Sequence, residues 1–175
     1  MFQSFYPSEN VESVYDYDFE ARYREGYRAI IFDIDNTIVV HKTDQTPQSL
    51  AFLTRLRDIG FGILFLSNGC ERRVKSFADP VGMKYLYRAG KPNPKSYQKA
   101  MEILGTNADN TLFFGDQLFT DILGANRAGI HSVLVKPISR KEDPHIILKR
   151  PFERVVLAFY RRNRRLTQAS SMPRS

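Results

Sequence analysis

The sequence predicts an α/β fold built on a doubly wound, mostly parallel sheet, and three features lead there. Short, continuously apolar runs recur along the chain: RAIIFDI at 28–34, GFGILFLS at 60–67, NTLFFGD at 110–116 and HSVLVKP at 131–137. Segments of helical length lie between them, and glycine follows three of those segments. A strand that is apolar at every position needs cover on both faces, which the crossover helices of a parallel sheet provide.

Taken in order, the first run breaks at Asp33, where a strand would leave the core. Pro47 to Ile59 reads as a helix, because proline suits the first helical position and Gly60 stands just past the end. GFGILFLS then returns to the sheet, and Cys70 to Ala78 forms the next helix. In RAGKPNPKSY, Pro92 and Pro94 hold the backbone extended until a helix starts at Pro94, to end at Leu104 before Gly105. After NTLFFGD, a last crossover helix is predicted over Thr120 to Ala128, closed by Gly129, and HSVLVKP completes the sheet.

At 175 residues, 42% of them hydrophobic, the chain fits a single domain over residues 1–165 with amphipathic N- and C-terminal extensions. The polar stretch 166–175 is expected to be disordered. No run reaches the roughly 18 apolar residues of a membrane span, and the N-terminus lacks the pattern of a signal peptide. Together with the single cysteine, Cys70, this points to the cytoplasm. The formal charge of +7 is unevenly spread: residues 136–175 carry 11 Lys and Arg against 3 acids, while the first 135 residues are nearly balanced.

In parallel sheets, ligands gather at the carboxyl ends of the strands. Asp33 and Asp35 follow the first apolar run, Ser67 and Asn68 the second, and Asp116 the third, so they are expected on one rim with Lys91. Carboxylates brought together there need a counter-charge, and a hard divalent cation, Mg²⁺, with oxygen ligands supplies it. Asp33 and Asp116 would offer side-chain oxygens and Asp35 its carbonyl. Asp33 would attack phosphorus, Asp35 would act as general acid and base, and Ser67, Lys91 and the amides after Asp33 would hold the phosphoryl oxygens, with Asn36 and Thr37 as supporting residues. Asn68 would either touch phosphate or order its loop. A cysteine phosphatase is excluded, because Ser76 stands where the phosphate-gripping arginine would follow Cys70.

These residues resemble the haloacid dehalogenase (HAD) superfamily of phosphatases. DIDNT is similar to its first motif, LFLSNG to the second, GKPNP to the third, and FFGDQLFTDILGANRAG to the fourth. The resemblance implies that Asp33 is the nucleophile and Asp116 a metal ligand, with Asp121 supporting the metal shell. FDIDNTIV, LSNGCERRVKSFADPVGMKYLYRAGKPNP and GDQLFTDILGANRAGIHSVLVKPI are further similar to the YqeG-type branch of subfamily IIIA, over about residues 5–165. Members of that branch, and a related mitochondrial enzyme, are associated with dephosphorylating phosphatidylglycerophosphate.

The 31 residues between Asp35 and Ser67, and the 23 between Ser67 and Lys91, are needed for helix and strand. The resemblance then implies a member without a cap domain, whose open site suits phosphate carried on something large. The tail RPFERVVLAFYRRNRR reads as an amphipathic helix. Phe152, Val155, Val156, Phe159 and Tyr160 lie on one side, and Arg154 and Arg161 on the other. Its apolar side would either pack on the domain or enter an anionic membrane surface peripherally, with Phe2, Phe5 and Tyr6. Arg72 and Arg73, just after the second motif, would be exposed or would meet an anionic phospholipid headgroup. A phosphoprotein, nucleotide or sugar phosphate is the alternative substrate. RNA binding on a phosphatase scaffold ranks last, since few aromatics are arranged for base stacking.

Overall fold

The computed structural model describes residues 3–139, 148 and 150–170, with side chains up to residue 162. In chain order its main elements are β1 (Glu9–Val11), α1 (Phe19–Arg24), β2 (Ala29–Phe32), α2 (Pro47–Ile59), β3 (Gly62–Leu66), α3 (Glu71–Ala78), β4 (Lys84–Leu86), α4 (Pro94–Leu104), β5 (Thr111–Gly115), α5 (Leu123–Arg127), β6 (His131–Val135) and α6 (Arg150–Ser170). The strands form one all-parallel sheet in the order β1-β6-β5-β2-β3-β4. The four predicted strands are β2, β3, β5 and β6. Two more, β1 and β4, extend the edges; each is three residues long and partly exposed, too short to show as an apolar run.

Side chains alternate across the sheet, yet both faces are covered. Ile30, Phe32, Ile63, Phe65, Leu112 and Phe114 enter one core with residues of α1, α2 and α3, while Ile31, Leu64, Leu66 and Phe113 enter a second core under α4 and α5. In the first core the rings of Phe19, Phe32, Phe52 and Phe114 meet at centroid separations of 5.3 to 6.4 Å, within the range of favourable edge-on and tilted contacts. Helix ends follow the local chemistry expected of them. Thr46 and Ser49 form a reciprocal capping box ahead of Pro47, Asn93 caps α4, and Gly60 and Gly105 adopt the left-handed conformation that closes α2 and α4.

The crossover helix predicted from Thr120 starts earlier, with a wide π-type turn over Leu118–Ile122 that passes into α5. Its signature is the Ile122 amide donating to the Gln117 carbonyl at 3.2 Å, five residues back. Such turns cluster at functional sites, and this one carries Asp121. The chain runs β2, β3, β4 towards one edge and then returns past β2 for β5 and β6. The direction of winding therefore changes beside β2, at the crevice where parallel sheets collect ligands.

Helix α6 continues to Ser170, five residues into the stretch expected to be disordered. Its apolar residues do not share one environment. Val156 and Tyr160 are buried; Val156 packs with Leu118, Ile122 and Leu134, while Phe152, Val155 and Phe159 are exposed. Phe5 and Tyr6 are partly buried against the domain, with ring contacts to Phe119 and Tyr160. Phe2 lies outside the described residues.

Candidate active site

Asp33 directly extends β2: its amide donates to the Phe114 carbonyl of β5 at 2.9 Å, which fixes the backbone while the side chain reaches the rim. Lys91 arrives from the loop before α4. Its Nζ lies 2.6 Å from Asp33 Oδ1 and 2.7 Å from Asp121 Oδ1, and all three residues are buried. Asn68 sets the Lys91 backbone. It accepts from the Lys91 amide at 2.8 Å and donates to the Lys91 carbonyl at 3.3 Å, so of the two roles expected for Asn68 the loop-ordering one is visible. Ser67, buried at the end of β3, accepts the Gly69 amide at 3.0 Å.

Asp121 is fully buried, its second oxygen accepting the Gln117 amide at 3.0 Å and its carbonyl the Tyr97 hydroxyl at 3.1 Å. The strand before it must end in glycine for this approach. A Cβ on Gly115 would lie 2.5 Å from Asp121 Cβ and 2.6 Å from its carboxylate. Gly115→Ala is therefore expected to displace Asp121 from Lys91 and to cost about 1–3 kcal/mol from overpacking, read as a lower denaturation midpoint at unchanged m-value.

Oxygens of Asp33, Asp116 and Asp121, one from each, lie within 4.8 Å of one another. Asp116 Oδ1 is buried and has no hydrogen-bond partner. Asp33, Asp116, Asp121 and Glu153 against Lys91 and Arg150 leave two negative charges, those that one divalent cation balances. Burial pushes the Asp33 carboxyl up to about 7, against the pull of Lys91 and aided by Asp121 and Asp35. Burial also raises Asp116 well above the usual carboxylate range, with Asp121 and Asp33 adding to the rise and Arg150 opposing it. Burial alone would lower Lys91, but Asp121 and Asp33 outweigh it and keep the ammonium protonated. An oxygen donor set short of positive charge, with an unused buried oxygen, fits a hard divalent cation.

Asp35 stands at the edge of this group. Its Oδ1 accepts from the Lys42 amide at 2.7 Å and from Arg73 Nη2 at 2.9 Å; Arg73 also donates to the Thr43 carbonyl at 2.7 Å. Asn36 is buried in the left-handed conformation and Thr37 is buried beside it, in the turn that ends the first motif. Arg73 is thus part of the site's rim, and Arg72 is exposed. Arg154 and Arg161 lie on the exposed side of α6 and contribute nothing to the acidic cluster.

Two contributors had no signal in the sequence. Arg150 Nη2 pairs with Asp116 Oδ2 in a very short contact, while its Nη1 donates to the Asp116 carbonyl at 2.8 Å and to Glu153 Oε2 at 2.8 Å. Glu153, also buried, accepts the Leu118 amide at 2.8 Å. Both residues read as parts of a basic tail, 34 or more positions beyond Asp116, and only the folded chain brings them to it.

Residues 88–147 match a HAD-hydrolase-like family model. The chain is 32% identical over 159 residues to a Bacillus subtilis protein named Probable phosphatase YqeG, covering 90% of this chain and 92% of that one. The chain belongs to the HAD phosphatases of the YqeG type. An Arabidopsis thaliana relative, phosphatidylglycerophosphate phosphatase 1, is 28% identical over 172 residues; the match takes in 89% of this chain and 47% of that protein. Among solved structures, the cobalt-bound deoxy-D-mannose-octulosonate 8-phosphate phosphatase of Haemophilus influenzae matches with a TM-score of 0.51 and 14% identity, over 63% of this chain and 69% of that one. At that identity the likeness is one of fold. In this HAD phosphatase the stretches between the first three motifs are taken up by α2 and β3 and by α3 and β4.

Proposed function

We propose that the chain is a Mg²⁺-dependent phosphomonoesterase working through an aspartyl-phosphate on Asp33, with phosphatidylglycerophosphate at a membrane surface as its substrate. The observation that carries the reaction is the convergence of Asp33, Asp116 and Asp121 on one rim around the buried Lys91. Mg²⁺ held there by Asp33 and Asp116, with the Asp35 carbonyl, would supply Lewis-acid stabilisation of the phosphoryl oxygens.

The chain's own groups divide the remaining work. Lys91 grips Asp33 Oδ1 and so fixes the carboxylate's orientation for in-line attack on phosphorus. As the bond to the leaving oxygen breaks, Asp35 protonates that oxygen. It then takes a proton from the water that cleaves the aspartyl-phosphate, releasing phosphate and restoring Asp33. The Lys42 amide and Arg73 occupy Asp35 Oδ1, which leaves Oδ2 for proton transfer. Ser67, the amides after Asp33 and Lys91 would hold the equatorial oxygens.

The lipid substrate is supported by the name of the Arabidopsis relative and by the outer side of α6. Phe152, Val155 and Phe159 are exposed there, with exposed Arg154 and Arg161 on the same helix. Each basic residue near an anionic surface contributes on the order of 1 kcal/mol. Among the described residues no helix is long and apolar enough to cross a membrane.

The test is phosphate release with Mg²⁺ from phosphatidylglycerophosphate in mixed micelles, run against a soluble panel of phosphoprotein, nucleotide and sugar phosphate. The lipid is expected to turn over fastest and EDTA to stop the reaction. Faster turnover of a soluble compound would remove the lipid assignment, and turnover unaffected by EDTA would remove the cation.

A further inference from the structure

Arg150, at the start of α6, contacts both the carboxylate and the carbonyl of Asp116. It is also the group whose purpose there is least obvious, since a guanidinium beside a cation ligand would ordinarily repel the cation. Two observations resolve the conflict. Glu153, one turn along the same helix, takes Arg150 Nη1 at 2.8 Å, so the guanidinium enters the site as half of an ion pair that adds no net charge. The fork is also selective in what it occupies. It takes Asp116 Oδ2 and the Asp116 carbonyl, and leaves Asp116 Oδ1 buried without a partner.

We infer that Arg150 is a positioning residue of the cation site: held by Glu153, it fixes Asp116 by one carboxylate oxygen and the main chain so that the other oxygen faces the cation. A carboxylate free to rotate would have to be ordered at the moment of binding; one clamped at two points is ordered beforehand. Groups that hold a metal ligand from behind commonly change metal affinity by about 10- to 100-fold when removed. The planar guanidinium fork matters here, because a lysine carries the charge but does not offer paired donors in fixed geometry. Helix α6 is on this account part of the active site, fastened to the fourth-motif loop by Arg150 at Asp116 and by Glu153 at the Leu118 amide.

The inference rests on the cation site of the proposed reaction, so its test reads metal binding directly. Mn²⁺ affinity of the full chain is measured by electron paramagnetic resonance, without substrate, for wild type, Arg150→Ala, Arg150→Lys and Glu153→Gln, each checked for folding by circular dichroism. Arg150→Ala is expected to weaken Mn²⁺ binding by about 10- to 100-fold. Arg150→Lys should lie between it and wild type, and Glu153→Gln should weaken binding in the same direction. Should Arg150→Ala not fold, the Lys and Gln variants decide. Binding as tight as wild type in the folded variants would overturn the inference, because α6 would then only be packed there. Tighter binding would overturn it too, by showing that Arg150 competes with the cation. A wild type that binds no Mn²⁺ would remove the cation site itself, and with it the proposed reaction.

Discussion

Asp33→Asn is expected to abolish phosphate release, by a factor on the order of 10⁴ to 10⁶, the scale of losing a nucleophile. The amide keeps the shape of the carboxylate and still accepts a hydrogen bond from Lys91, which now lies 2.6 Å from Asp33 Oδ1. The fold should therefore survive, and without metal it should be the more stable one. Burial pushes the Asp33 carboxyl up to about 7, above the value of about 4 it takes in an unfolded chain. A carboxyl raised in this way gives its full contribution to stability below about pH 4 and loses it as pH rises through about 7. The amide does not titrate. In EDTA, the melting temperature of Asp33→Asn relative to wild type should thus climb between pH 5 and pH 8. Retained turnover in the variant would exclude Asp33 as the nucleophile; a gap that shrinks with rising pH would mean that its charge is compensated in another way.

The sheet was legible because its central strands are covered on both faces. Continuous apolar runs such as AIIF and TLFFG need no periodicity to be recognised, and their positions locate β2 and β5 to within a residue or so. The edge strands β1 and β4 were not, since ENV and KYL bury too little to leave an apolar signature. The same contrast holds in the site. Asp33, Ser67 and Asp116 could be placed together because each follows a strand in a parallel sheet, where sequence position translates directly into a shared rim. Arg73 was ambiguous because the first turn of a helix does not announce which way a long side chain will lie. Arg150 and Glu153 were invisible as site residues because their approach depends on how Val156 and Tyr160 pack in the folded domain. An amphipathic pattern says that a helix has a buried side, and α6 shows that it does not say which apolar residues that side includes.

Lys91→Met should produce the largest loss of stability of any substitution in the rim. The ammonium sits between Asp33 and Asp121, 2.6 and 2.7 Å away, and the side chains of all three are less than a tenth exposed. Removing it leaves two buried carboxylates facing each other with no counter-charge. Breaking a buried ion pair in this way costs about 3–5 kcal/mol. For a chain of this size each kcal/mol lowers the melting temperature by roughly 2–4 °C, so a fall of about 6–20 °C is expected in metal-free protein. Two comparisons separate charge from packing. Adding Asp33→Asn to Lys91→Met should recover part of the loss, because one of the uncompensated charges is gone, whereas a cavity left by the lysine would make the double variant no better. Millimolar Mg²⁺ should raise the melting temperature of the folded protein, and an Asp116→Asn variant should show a smaller rise, since any species that binds only the native state stabilises it by mass action. Full stability of Lys91→Met in EDTA would mean that the acidic groups do not need the ammonium, and the charge balance assigned to this rim would be wrong.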